Sequence, residues 1–205
     1  YFPKRFIRIG IDPAHNIDRS RLDKSVIFET DYFSKEKALK LSRGSLFKSV
    51  TSIAMFYDLD DPGAFVSEVK SILAPDGVWC VQLSYLPASL KTLNFYDICH
   101  DHLGYYSLGV MDNLMTRSGL SIFDVSLNEV NGGSLRIWVT HRHNSRSIST
   151  NLKKLLRAEK RQYLDSPATY ASFARKINSL KQTVRDFIIS ETRKKDGRVI
   201  GLGAS

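Results

Sequence analysis

Cysteine is scarce in this sequence: Cys80 and Cys99 are the two among 205 residues, and they match no CxxC spacing. A disulfide framework is therefore excluded within the chain, and a reducing compartment fits. Long apolar runs are missing as well, so no segment approaches a membrane span. The start, "YFPKRFIRIG", lacks the extended apolar core of a signal peptide. These absences predict a soluble, cytoplasmic protein without a membrane partner. Length makes no demand for a staple, because a chain of this size buries roughly 70% of the surface its unfolded form exposes.

Charge is present but lopsided. Residues 1–143 hold 16 Lys/Arg against 16 Asp/Glu, while residues 144–205 hold 14 against 5 and so carry the whole net charge of +9. A basic segment can attract nucleic acid, a membrane surface or a phosphorylated ligand, or be a solvated helix face. The neutral front portion argues against nucleic acid as the main partner.

That front portion reads as strands alternating with helices. "FIRIGI" (6–11) is a short strand stopped by Asp12-Pro13, and a second strand runs from Ser25 to Phe28. "SVTSIAMF" (49–56) is almost continuously apolar, as expected of a strand buried on both faces of a parallel sheet. Asp61-Pro62 opens a helix whose buried stripe is Phe65, Val66, Val69, Ile72 and Leu73. Pro75, Asp76 and Gly77 end it before the strand "VWCVQLSYL". A further helical stretch is expected to carry residues 95–106 and to end near Gly119. Phe123, Val125 and Leu127 then alternate with polar residues, as do Leu135, Ile137 and Val139, with "NGG" (131–133) as the turn between them. This predicts an antiparallel pair at the edge of an α/β layer fold.

From about Ser147 the pattern becomes helical. Leu152, Leu155 and Leu156 mark one amphipathic helix. After Pro167, the residues Tyr170, Phe173, Ile177, Leu180, Val184 and Phe187 alternate at spacings of three and four, a seam expected to pack in the core. "GRVIGLGAS" (197–205) reads as a strand running into a glycine turn.

Several residues have chemistry to offer. Asp12, at a strand tip, could hold both hydroxyls of a ribose or could be ordinary turn chemistry before proline. Asp31 could accept from an adenine amino group, with Tyr32 or Phe33 against the ring, or could cap the helix "SKEKALKL", for which Ser34 also serves. In "FYDICHDHLGYY" (95–106), His100 and His102 flank Asp101. On a helix, an HxH pair points to different faces, and no further ligand lies at plausible spacing, so a metal site is not expected. A base presented at the mouth of the sheet explains the cluster better than core packing, since buried polar groups need partners.

The stretches "GIDPAHN", "TDYFS", "SIAMFYDLDDPGAFVSEVKSILAPDGVW", "FYDICHDHLGYYSL", "NGGSLRIWV" and "GRVIGLGAS", in that order, resemble the S-adenosylmethionine-dependent C-methyltransferases that modify nucleotide-linked deoxysugars. "ILAPDG" is generic to class I methyltransferases, whereas the His-acid-His stretch followed by "YYSL" and "NGGS" is specific. The resemblance implies a Rossmann-like class I methyltransferase sheet with an antiparallel edge pair, then amphipathic helices leading into a second α/β domain. It divides the chain into a partial methyltransferase domain (1–143), a basic helical connector (144–196) and the first strand and turn of a C-terminal domain (197–205). It also implies a piece truncated at both ends and inactive by itself. A zinc-bound N-terminal module, the first strand and its glycine-rich loop lie outside it, and zinc is expected only in that module.

Residue by residue, the resemblance implies that Asp12 holds the cofactor ribose and Asp31 the adenine edge, beside Tyr32. Ala54, Met55 and Phe56 line the cofactor pocket. His102 is the general base, with Asp101 in place of a glutamate that positions base and substrate, and His100 beside them. Cys99, Tyr105, Tyr106 and Asp58 face the acceptor, a nucleotide-linked sugar. The chemistry is removal of a proton next to a ketone, giving an enolate that attacks the activated methyl group. A histidine suits this, because its pKa lies near working pH. Three departures bear on the substrate: Asp101 is one methylene shorter than glutamate, Cys99 replaces a tyrosine, and Asp58 replaces a second histidine. The alternatives are an O- or N-methyltransferase on another small molecule, and a non-catalytic fragment that binds nucleic acid.

Overall fold

Two strands that pair with each other begin the structure, a computed structural model that describes residues 5–144, 146–194 and 196–201. These are β1 (Arg8–Ile11) and β2 (Val26–Glu29), aligned in parallel with Ile9 opposite Ile27. Helix α1 (Lys35–Leu41) follows, capped by the Ser34 hydroxyl on the Lys37 amide at 3.3 Å. Four more strands form a second sheet in the order β3-β4-β6-β5: β3 (Phe47–Ile53), β4 (Leu73–Ser84), β5 (Leu120–Asn128) and β6 (Ser134–His141). β3 and β4 are parallel, and β6 runs antiparallel to both β4 and β5. The expected antiparallel pair is thus present.

Helix α2 (Pro62–Ile72) starts as its sequence dictates. Proline occupies the first turn, where its missing N–H is no loss, and the Asp61 carboxylate accepts from the Ala64 amide at 2.9 Å. Val66 and Val69 are buried in one cluster with Trp79 and Val81 of β4 and Leu135, Ile137 and Val139 of β6, and Ile72 is buried as well. Helix α4 (Leu108–Arg117) adds Leu108, Met111 and Met115 to the same core. Helix α5 (Thr150–Lys160) adds Leu152, with Leu155 and Leu156 packed beside it.

Five local expectations are corrected. β3 is an edge strand with one neighbour, so it is not buried on both faces: Thr51 and Ile53 are exposed while Ser52 is buried under the Trp79 indole. Ala74 to Gly77 do not lie between helix and strand but inside β4, as an irregular step between the Phe47–Leu73 and Ser49–Val78 pairs. In β5 a register shift between Ile122 and Asp124 interrupts the alternation. Ile122 and Val125 face the core, Leu127 is exposed, and Phe123 lies under the Arg146 guanidinium, 5.1 Å from its ring centre. The seam of helix α6 (Pro167–Thr192) has no buried residue, and Phe187 is 61% exposed. The strand expected at 198–201 is not formed, and its continuation at 202–205 lies outside the described residues.

The largest departure concerns residues 95–106, which are not helical. Helix α3 (Leu86–Thr92) ends where Leu93 takes a left-handed conformation (φ 58°), and a single 3-10 turn spans Phe95–Asp97. Beyond it the chain crosses the ends of β3 and β4 as a loop. Non-local bonds hold it there: the Gly104 amide donates to the Tyr57 carbonyl at 3.0 Å, and the Leu86 amide to the Tyr106 carbonyl at 3.0 Å. These outcompete the helical pattern, because each satisfies a backbone group at the sheet's end.

Candidate functional site

Two segments, residues 54–58 and 97–106, converge where β3 and β4 end. β3 gives way to Ala54, which is left-handed (φ 54°) and donates its amide to the Gln82 carbonyl at 2.9 Å. That turn sends Phe56 into the core, fully buried, with ring centres 5.3 Å from Tyr106 and 6.4 Å from Trp79. It also sets Tyr57 and Asp58 against the loop after α3. The Tyr57 ring packs on the His102 imidazole, their centres 4.2 Å apart. His102 Nδ1 lies 2.8 Å from the Asp97 carbonyl oxygen and 3.7 Å from its carboxylate. The Tyr105 hydroxyl donates to the same carbonyl at 3.3 Å.

A carbonyl can only accept, so His102 Nδ1 carries a hydrogen. In the neutral ring Nε2 then holds the lone pair. The side chain is 18% exposed, so one edge of the ring is reachable from solvent. His100 and Asp101 stand apart from it, 92% and 73% exposed, paired with each other at 3.1 Å.

The surroundings bias charge in a consistent direction. Burial, then the Asp58 and Asp97 charges, push the Tyr57 phenol up. Burial and the Cys99 thiol do the same for Tyr105, and burial alone for Tyr106. Partial desolvation raises the Asp58 carboxyl; the Asp101 charge adds to this, while His102 works against it. The cluster is thus an acidic and aromatic cup around one imidazole, buried at Tyr57 and Asp97 and open to solvent at Asp58, Cys99 and Tyr105.

The expected cofactor residues sit elsewhere. Asp12 follows β1, its amide donating to the Glu29 carbonyl at 3.1 Å and its Oδ1 accepting from the Ala14 amide at 2.9 Å. Asp31 follows β2, accepting from the Tyr32 amide at 2.7 Å and pairing with Lys37 at 2.5 Å. The Lys37 ammonium and the Tyr32 amide lower its carboxyl below the ordinary range. Tyr32 is exposed. No hydrogen bond or ion pair among the described residues joins Asp12 or Asp31 to the His102 cup. At each of these aspartates a carboxylate lone pair remains for a hydroxyl or amino donor. Among the described residues no three His, Cys, Asp or Glu side chains gather as a metal-ligand set.

Three participants were missed by the sequence reading. Tyr57 and Asp97 build the cup, although Asp97 stands in the quoted stretch. Glu159 is buried in α5 and accepts from the Leu108 and Gly109 amides at 2.6 and 2.8 Å, capping α4. An acid on the Leu152–Leu155–Leu156 stripe was the available signal.

Residues 129–205 match the family model of the C-methyltransferase C-terminal domain. The C-methyltransferase NovU of Streptomyces niveus is 28% identical over 198 residues, covering 96% of this chain and 47% of NovU. The chain therefore spans about half the length of that curated relative. Among solved structures, a chain of the complex containing the Haloferax volcanii Trm112 methyltransferase activator superposes with a TM-score of 0.50 at 15% identity, covering 67% of this chain and 73% of that one. The fold is the α/β layer arrangement shared with that chain. Among the described residues no helix is long and apolar enough to cross a membrane.

Proposed function

We propose that this chain is part of an S-adenosylmethionine-dependent methyltransferase that methylates a carbon next to a ketone, in an acceptor of the nucleotide-activated sugar class. The observation that carries the reading is the His102 geometry: Nδ1 is tied to the Asp97 carbonyl, and Nε2 is left as a base at the end of the sheet. Similarity to a C-methyltransferase supports carbon as the methylated atom.

In this reading Asp12 holds the ribose of the cofactor and Asp31 its adenine edge, with the exposed Tyr32 ring beside them. Ala54 and Met55 line the approach between those acids and the cup, and the buried Phe56 side chain supports the turn from below. The cofactor supplies an electrophilic methyl group. His102 Nε2 takes a proton from the acceptor carbon, leaving the C–H electron pair as an enolate. A positioned base of this kind contributes roughly 10²–10⁴-fold. Asp58, Cys99, Tyr105 and Tyr106 surround the acceptor at the open side of the cup.

The test uses the full-length protein with a nucleoside-diphosphate-linked keto sugar in deuterated water. Deuterium should appear at the acceptor carbon before methylation, and His102→Ala should lose turnover by at least about tenfold while retaining S-adenosylmethionine affinity. Methylation without any such exchange would point to an O- or N-methyl acceptor instead.

A further inference from the structure

We propose that Asp97, rather than Asp101, is the carboxylate that positions His102 and balances the charge this ring gains with a proton. The inference rests on the reading of His102 as the base. Asp97 closes the 3-10 turn Phe95–Asp97, is 10% exposed at its side chain and lies close enough to Tyr57 and Tyr105 for its charge to act on both phenols. Its Oδ2 has no hydrogen-bond partner among the described residues. A buried carboxylate is costly unless a donor or cation meets it. Among the described residues His102 is the one side chain within ion-pair distance of this carboxylate, its Nδ1 lying 3.7 Å from the other oxygen, Oδ1.

Asp101 has the closer sequence position and the poorer placement. Its carboxylate lies in solvent against His100. Asp97 instead offers two acceptors to one nitrogen: the carbonyl that fixes the tautomer, and a carboxylate that strengthens its hold when the ring becomes cationic. In the proton-abstraction step the acceptor's C–H proton moves to Nε2. The proton on Nδ1 stays where it is, facing the Asp97 carbonyl. Tyr57 shields the pair on the ring face, so little water competes.

The experiment follows the Nδ1 hydrogen of His102 by NMR in the 205-residue chain, acidified until the ring is charged, with His102→Gln to assign the signal. Exchange of that hydrogen with solvent should be about tenfold faster in Asp97→Asn, which keeps the carbonyl and the size but loses the charge. Asp101→Asn should leave it within about twofold. An unchanged rate in Asp97→Asn, or equal acceleration in Asp101→Asn, overturns the proposal. Should Asp97→Asn not fold, the wild-type chain still decides. The His102 ring hydrogen must exchange at least about tenfold more slowly than that of His100, and equal rates refute the contact. In the full-length protein Asp97→Asn should lower kcat about tenfold with KM within about twofold. An unchanged kcat, where His102→Ala has lost turnover, removes the positioning role. A His102→Ala variant that keeps its turnover overturns the base reading instead, and the exchange rates still report whether Asp97 holds the ring.

Discussion

The Tyr85 hydroxyl donates a 2.8 Å hydrogen bond to the Glu159 carboxylate, joining residues 74 positions apart at the point where β4 hands over to α3. The same carboxylate accepts from the first two amides of α4, so one buried acid ties α5 to both the sheet and the helix that follows the His102 loop. Three donors lose their acceptor if it is removed. Glu159→Ala should therefore cost about 3 kcal/mol of stability, more than a simple helix cap. Glu159→Gln, which keeps one acceptor oxygen, should cost roughly half of that. Urea unfolding followed by Trp79 fluorescence measures both; a loss no larger for Ala than for Gln would contradict the shared-acceptor account.

The same pair predicts alkaline behaviour. Burial first, then the Glu159 charge and its hydrogen bond, hold the Tyr85 phenol well above its ordinary value. The folded state thus binds that proton more tightly than the unfolded chain does. Its stabilisation is full below the unfolded value of about 10 and is lost as pH rises beyond it. Tyr85→Phe should flatten the decline in stability above about pH 10, and a decline as steep as in the wild type would show that other groups cause it.

Legibility tracked how local each determinant is. Asp61-Pro62 and the Val66, Val69 and Ile72 stripe placed α2, and Leu135, Ile137 and Val139 placed β6, because capping and periodicity act within a few residues. His102 was singled out, but its loop was read as helix. The bonds that shape it come from Tyr57 and Tyr106, and no local pattern announces them. Phe123 misled by the same logic, since it is itself the extra residue at the register shift between Ile122 and Asp124, whereas Val125 beyond it faces the core as its alternation predicts. Asp97 was passed over because an aspartate in a polar-aromatic stretch looks like solvent-facing chemistry, whereas the turn buries it beneath an imidazole.

At the other end of the chain, β1 and β2 depend on a small polar clasp. The Ser25 hydroxyl and amide donate to the Asp23 carboxylate at 2.6 and 3.0 Å, and Arg8 of β1 approaches it at 3.3 Å. The Ser25 bonds, with Arg8 adding, hold the Asp23 carboxyl down to about 2. A depressed folded value means that the contribution is present above the unfolded value of about 4 and fades as pH falls towards about 2. Asp23→Asn should therefore weaken amide protection of Gly10 and Ile27 at neutral pH and flatten its loss on acidification. Hydrogen exchange at these two amides reads the effect directly, and identical acid profiles in both proteins would disprove the clasp.

The unpaired seam of α6 yields a prediction of near silence. Leu180, Val184 and Phe187 look like core residues by spacing, yet none is buried among the described residues. Leu180→Glu and Val184→Glu should each change the stability of this chain by no more than about 0.5 kcal/mol. Had the seam packed inside this chain, a buried charge would cost several times that. The denaturant midpoint separates the two cases.

Gly104 tests how tightly the His102 loop is held. A Cβ at this position would meet the Tyr106 ring at 2.6 to 2.8 Å, closer than side-chain atoms pack. Tyr106 has little freedom to withdraw, because its ring lies on the buried Phe56 and its backbone bridges to Tyr85. The strain must therefore move Gly104 itself and strain its amide bond to the Tyr57 carbonyl, two residues from the imidazole. Gly104→Ala should cost about 1–3 kcal/mol of stability and shift the His102 ring resonances, while those of His15, at the far side of β1, stay in place. If the ring signals of His102 stay fixed as stability falls, the loop is anchored by contacts other than the Tyr57 carbonyl, and the cup has a rigidity of its own.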